Sequence, residues 1–77
     1  MFNEPIQQLI DNIVKTIKPD DMGQYVFEIK HNPFDKTQLH IGKNGIYMDI
    51  DQWIIDQALD EGAIYYIHSY WYGYSKS

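Results

Sequence analysis

Residues 37–50, TQLHIGKNGIYMDI, predict the β-hairpin around which the fold is built, because two alternating apolar segments flank an Asn-Gly pair. Asn and Gly accept the positive φ angles that a tight hairpin turn requires. The pattern therefore predicts strands over 37–41 and 46–50, with a turn at 42–45. The apolar positions on one face of each strand are Leu39 and Ile41 in the first, and Ile46, Met48 and Ile50 in the second.

The residues before this hairpin predict a helix followed by a strand. Over 24–31, alternation places Tyr25, Phe27 and Ile29 on one side. Asn3 can cap the preceding helix. The apolar stripe of that helix follows the i, i+3, i+4, i+7 spacing and comprises Ile6, Leu9, Ile10, Ile13, Val14 and Ile17.

The residues after the hairpin predict a second helix over 51–61 and a closing strand from about Ala63. Asp49 or Asp51 can cap this helix, and Asp49 with Gln52 fits the spacing of a capping box. Its buried stripe is expected to comprise Ile54, Ile55, Ala58 and Leu59.

The element order helix, three strands, helix, strand defines the expected fold class. We predict one small acidic α+β domain over residues 1–77. Its sheet is expected to be mainly antiparallel, with both helices on one face. Such a short chain has room for a single domain.

The composition restricts the classes of function. The net charge is −5, and the absence of Cys excludes disulfides and thiolate metal sites. All six basic residues are Lys. Because Arg is the usual partner of phosphates and base edges, direct nucleic-acid binding is disfavoured. No catalytic motif, phosphate loop or metal-ligand spacing is present, so we expect a non-enzyme without cofactor or metal.

The chain carries no pattern typical of export or of membrane insertion. Its first residues lack a basic segment followed by an apolar one, and no apolar run approaches about 18 residues. We therefore expect a cytoplasmic protein without membrane contact. A composition rich in Ile, Asn, Lys and Asp without Arg suggests a low-GC bacterium or its phage, and hence the host cytoplasm if the protein is phage-encoded.

The outer side of the second helix is the first candidate surface. From Asn44 to Ser75 there is no Lys or Arg. Asp56 and Asp60 are like charges at i, i+4, which destabilise a helix by roughly 0.2–0.5 kcal/mol. The predicted partner-binding residues are Asp49, Asp51, Trp53, Asp56, Gln57, Asp60 and Glu61. A basic partner would explain this arrangement; the alternative is a merely solvated face.

The tyrosines of the closing strand are the second candidate surface. Alternation places on one side Tyr66, His68, Tyr70, Tyr72 and Tyr74. If the helices cover the other side, these residues form a tyrosine stripe on a bare sheet. Tyr offers a large contact area with little loss of entropy, which suits a homodimer or a second contact. A stripe that tolerates water is the alternative.

The functional hypotheses combine these two surfaces. In size and charge the chain resembles the small acidic proteins with which phages disable host machinery, some of which imitate DNA. We expect a non-enzymatic protein-binding protein, an inhibitor that acts as a DNA mimic on a basic, nucleic-acid-binding surface of a host protein. The first alternative is a homodimeric structural or adaptor module that uses the tyrosine face. The second is single-stranded nucleic-acid binding by aromatic stacking.

Overall fold

A computed structural model describes residues 2–75 of the chain. The elements follow the order α-β-β-β-α-β-β, which confirms the predicted α+β class. Their bounds are α1 Glu4–Thr16, β1 Gln24–His31, β2 Gln38–Lys43, β3 Ile46–Asp51, α2 Gln52–Asp60, β4 Tyr65–His68 and β5 Trp71–Ser75.

Helix α1 begins and ends as its sequence predicts. The side chain of Asn3 accepts a hydrogen bond from the backbone N–H of Ile6 at 3.1 Å, which satisfies one of the free donors of the first turn. Ile17 adopts an extended conformation, and the helix ends there, two residues before Pro19. The buried side chains of α1 are Ile6, Leu9, Ile10 and Ile13. The predicted apolar stripe therefore faces the core.

The strands form one antiparallel sheet in the order β3-β2-β1-β5-β4. In the β2–β3 hairpin, Lys43 pairs with Ile46, and Asn44 and Gly45 adopt φ angles of 57° and 81°. Two positive φ angles define the tight turn that suits the twist of the strands. The predicted four-residue turn is thus too long, because residues 42 and 43 continue β2.

The predicted single closing strand is wrong. The chain reverses at Ser69 and Tyr70, and the segment forms a β4–β5 hairpin with a register shift between Tyr66 and His68. Strand β5 then pairs with the free edge of β1, with Phe27 opposite Tyr72. Strand β5 therefore supplies hydrogen-bond partners for the backbone N–H and C=O groups of β1 that point away from β2.

Both helices pack on the same face of the sheet, as predicted. Phe27 and Ile41 are fully buried there and belong to the same core cluster as the apolar side chains of α1 and α2. The core cluster consists of Ile6, Leu9, Ile10, Ile13, Ile17, Tyr25, Phe27, Leu39, Ile41, Ile54, Ile55, Ala58, Ala63 and Ile64. We call the opposite side of the sheet the open face, because no helix of residues 2–75 covers it.

Helix α2 follows β3 without a connecting loop. Asp51 is its N-cap residue, but its side chain makes no capping hydrogen bond. The predicted capping box is wrong, because Asp49 instead contacts His40 across the β2–β3 pair. Ile54, Ile55 and Ala58 are buried as predicted, whereas Leu59 is half-buried.

The helices in residues 2–75 are either too short or too polar to cross a lipid bilayer.

Candidate protein-binding site

The phase of α2 directs its polar side chains away from the core. Since Ile54, Ile55 and Ala58 face inward, the positions on the opposite side of the helix point outward at about 100° per residue. Trp53 is 49% exposed. We call the exposed set the α2 outer face; it comprises Trp53, Asp56, Gln57, Asp60 and Glu61. Five of the seven predicted partner-binding residues therefore share one surface.

The carboxylates of the α2 outer face have no counter-ion within residues 2–75. The ion pairs found in that part of the chain join Lys30 to Glu28 and His40 to Asp49. The last turn of α2 contains no basic residue, although the helix dipole favours positive charge there. The negative charge of Asp56, Asp60 and Glu61 therefore remains available to another molecule.

A shallow depression adjoins the start of this surface. It is lined by Lys36 and Thr37 from the loop before β2, together with Gln52, Trp53 and Asp56. The exposed indole of Trp53 thus lines the same depression as the carboxylate residue Asp56 and the basic residue Lys36. Large aromatic side chains with such mixed surroundings are common anchors in protein interfaces.

The two remaining predicted acidic residues lie elsewhere. Asp49 is on the open face, where its Oδ1 atom lies 2.6 Å from His40 Nδ1. Asp51 is half-buried at the start of α2. The structure therefore does not bring Asp49 and Asp51 together with the α2 outer face.

The charges of the open face are paired locally, unlike those of α2. Lys30 Nζ lies 2.9 Å from Glu28 Oε1 and 5.6 Å from the centroid of the Tyr47 ring. The hydrogen bond and the charge of Glu28 raise the pKa of Lys30 above its ordinary value. The charged groups of this face are thus paired with each other or with an aromatic ring. The open face therefore has less unpaired charge with which to bind a partner.

The expectation of a tyrosine stripe on a bare sheet is wrong for Tyr72 and Tyr74. Tyr72 stacks on Phe27 with ring centroids 6.2 Å apart, and Tyr74 lies 5.7 Å from Tyr25. Because Phe27 and Tyr25 face the helices, their β5 partners do so too. The alternating pattern correctly predicted that Tyr72 and Tyr74 lie on the same side of the sheet. They lie on the side that the helices cover, and not on the open face.

Tyr66, Tyr70 and His68 remain accessible. Tyr66 is 63% exposed and Tyr70 is 54% exposed, and His68 is exposed on the edge strand β4. The ring of Tyr66 lies 4.9 Å from that of Tyr72, so an exposed tyrosine and a packed one form a pair. The rings of Tyr66 and Tyr70 border α2 rather than a bare sheet face.

A cleft of about 290 Å³ lies between α2 and the β4–β5 hairpin. We call it the tyrosine cleft; it is lined by Ile29, His31, Leu39, Gln52, Ile55, Asp56, Leu59, Tyr66, Ser69, Tyr70 and Tyr72. Asp56 was predicted for the acidic surface, and the three tyrosines were predicted for a separate one. The structure joins the two predicted surfaces at this cleft.

The environment of the cleft shifts the pKa of Tyr72. Burial raises the pKa of its hydroxyl above the ordinary value, and the neighbouring Tyr66 and the charge of Asp56 raise it further. Every tyrosine hydroxyl is protonated at neutral pH, so the raised pKa alters the ionisation of Tyr72 only in alkaline solution. The cleft presents a neutral hydroxyl and one carboxylate.

Sequence reasoning missed several residues that line the cleft. His31 is the last residue of β1, Gln52 opens α2, and Ser69 lies in the β4–β5 turn. They meet because β5 inserts beside β1, which brings the hairpin against α2. The sequence contains no local signal for that pairing.

Comparisons with known proteins give no relative for this chain. A scan against protein-family models, a search of curated proteins and a search of solved structures each found no match. Its function is therefore inferred from the geometry and charge of the α2 outer face and the tyrosine cleft.

Proposed function

We propose that this protein is a small acidic, non-enzymatic binding protein that occupies a basic, nucleic-acid-binding surface of another protein. In this role it acts as an inhibitor of the phage type and imitates DNA with its carboxylates. The observation that carries the proposal is the α2 outer face, where the exposed Trp53 stands among carboxylates that have no counter-ion within residues 2–75.

The local energetics of α2 support this role. Asp56 and Asp60 repel each other by roughly 0.2–0.5 kcal/mol at i, i+4 spacing. Asp60 and Glu61 lie at the negative end of the helix dipole, which costs roughly 0.3–1 kcal/mol. A domain below about 80 residues has only a few kcal/mol of stability from its core. An arrangement that reduces this stability is expected where it serves binding.

The same surface offers both parts of a typical interface. Carboxylates accelerate the encounter with a basic partner and restrict the choice of partner. Trp53, and beyond it Tyr66 and Tyr70, supply large apolar areas that can be desolvated on contact. Charge and aromatic anchors therefore occur together on the α2 side of the protein.

The two alternatives have less support. Tyr72 and Tyr74 are not available for a homodimer interface through the tyrosine stripe, since both pack against the core of their own chain. Stacking on single-stranded nucleic acid requires a basic groove beside the rings. The tyrosine cleft has no Lys or Arg among its lining residues in the described part of the chain.

The experiment is an affinity capture from bacterial lysate at low salt, with elution by a salt gradient or by duplex DNA. The wild-type protein is compared with Asp56→Lys/Asp60→Lys. The control is Asp11→Lys/Asp21→Lys, which changes the net charge equally at exposed positions outside α2. Screening makes charge-dependent binding salt-sensitive.

We expect the wild type and the control to capture the same proteins, and duplex DNA to release them. The α2 variant is expected to capture none of them. Capture that resists salt, or full capture by the α2 variant, would contradict the proposed function.

A further inference from the structure

The tyrosine cleft has the size of a site for a single side chain. Its volume of about 290 Å³ lies just below the range of roughly 300–1,000 Å³ that is typical of small-molecule pockets. It lies beside the α2 outer face, with which it shares Asp56. A partner docked on that surface is therefore positioned to extend one side chain into the cleft.

The charge of the cleft favours a cation. Asp56 is the one carboxylate among its described lining residues, and no Lys or Arg accompanies it there. Further acceptors are available from Gln52 and Ser69. A positive group with several N–H donors would satisfy more of these atoms than a neutral one.

The rings of the cleft favour a flat cation. Tyr72 is held in place by its stacking on Phe27 at 6.2 Å, while Tyr66 and Tyr70 expose most of their surfaces. A cation within about 6 Å of such a ring is attracted by its electron density. A guanidinium group can stack on a ring and bind a carboxylate at the same time, which an ammonium group cannot do equally well.

We propose that the tyrosine cleft binds the guanidinium group of one arginine side chain of the partner protein, with Asp56 as its counter-ion and Tyr66 and Tyr70 as its stacking surfaces. This inference rests on the proposed function, because it specifies what the partner presents to the α2 side. The chain contains no Arg, so the occupant comes from a different protein and not from a second copy.

The test uses isotope-labelled protein and short peptides, and it does not require the partner. Acetyl-Gly-Arg-Gly-amide is titrated while the NMR shifts of the Tyr66, Tyr70 and Tyr72 amides and the Asp56 side chain are followed. Peptides with citrulline or Lys in place of Arg serve as comparisons. Citrulline keeps the shape of Arg without its charge, and Lys keeps the charge without the plane.

We expect saturable shifts confined to the cleft with the arginine peptide. The lysine peptide is expected to bind several-fold more weakly, and the citrulline peptide roughly tenfold or more weakly, since a charge-assisted hydrogen bond is lost. Equal binding of all three peptides, or shifts outside the cleft, would overturn the inference.

Variants separate this inference from the proposed function. Asp56→Asn is expected to weaken the binding of the arginine peptide roughly tenfold. Asp60→Asn, on the same helix but outside the cleft, is expected to leave this binding unchanged. If the arginine peptide fails to bind but salt-sensitive capture through α2 persists, the inference is wrong and the proposed function stands. If the peptide binds and capture fails, the proposed function is wrong.

Discussion

The ring of Tyr65 covers Gly73, its partner on the neighbouring strand. The two residues are paired in the β4–β5 register, and a Cβ atom added at Gly73 would lie 2.7 Å from two carbons of the Tyr65 ring. The ring therefore fills the space that a side chain at position 73 would occupy. Its hydroxyl is buried and has no hydrogen-bond partner within residues 2–75.

Tyr65→Phe is expected to increase stability. The substitution keeps the ring over Gly73 but removes a hydroxyl whose desolvation costs about 1–3 kcal/mol when it is unpaired. We expect the free energy of unfolding in urea to rise by about 1 kcal/mol. Tyr70→Phe removes a hydroxyl from an exposed side chain and serves as the control, with no change expected. A loss of stability in Tyr65→Phe would show that the hydroxyl has a partner.

Gly73→Ala is expected to displace the Tyr65 ring. An added methyl group at 2.7 Å from the ring carbons forces the side chain to move, and overpacking of this kind typically costs about 1–3 kcal/mol. The measurement is a double-mutant cycle in which Tyr65→Ala is combined with Gly73→Ala. We expect the two effects to be non-additive, because the methyl group enters space already vacated by the ring. Additive effects would contradict the contact.

Asp60→Lys is expected to stabilise the fold while it weakens partner capture. The substitution removes the repulsion with Asp56 and places positive charge at the C-terminal end of α2, for a gain of about 0.5–1 kcal/mol. Thermal unfolding measures the gain, and the affinity capture described above measures the loss. Asp21→Lys changes the net charge equally in the turn before β1 and should alter neither property.

Tyr72→Phe is expected to change the stability of the protein at alkaline pH. The pKa of Tyr72 is raised in the folded state, so the unfolded chain releases this proton at a lower pH, near its ordinary value of about 10. The contribution of Tyr72 is fully present below that pH and is lost as the pH rises through the folded-state value. Unfolding midpoints from pH 8 to 11 should therefore fall more steeply in the wild type than in Tyr72→Phe. Parallel curves would contradict the burial of this hydroxyl.

The elements with local signals could be predicted from the sequence. The apolar spacing from Ile6 to Ile17 defines α1, and Asn44-Gly45 defines the β2–β3 hairpin, because each depends on contacts between residues close in the chain. The phase of α2 also places Trp53 opposite the apolar stripe, but the sequence left open whether its ring folds onto a sheet edge, and the structure shows it 49% exposed. Helix α1 and the hairpin were predictable since propensity and periodicity act within a few residues.

The tyrosine cleft could not be predicted, because it depends on long-range pairing. Ser69 and Tyr70 reverse the chain without Gly, Pro or Asn, so the β4–β5 hairpin has no recognisable turn signal. Strand β5 then pairs with β1 rather than extending an edge. Only that pairing places Tyr72 on Phe27 and brings Tyr66 beside Asp56.

The position of β5 between β1 and β4 has a consequence for the order of folding. Strands β1, β2 and β3 follow one another in the chain and can pair first, but the second edge of β1 must wait for β5 at the far end of the described residues. An unpaired strand edge readily accepts strands from other chains. A chain in which β5 has not yet docked therefore presents β1 as an open edge, and we expect the protein to aggregate from this form during refolding.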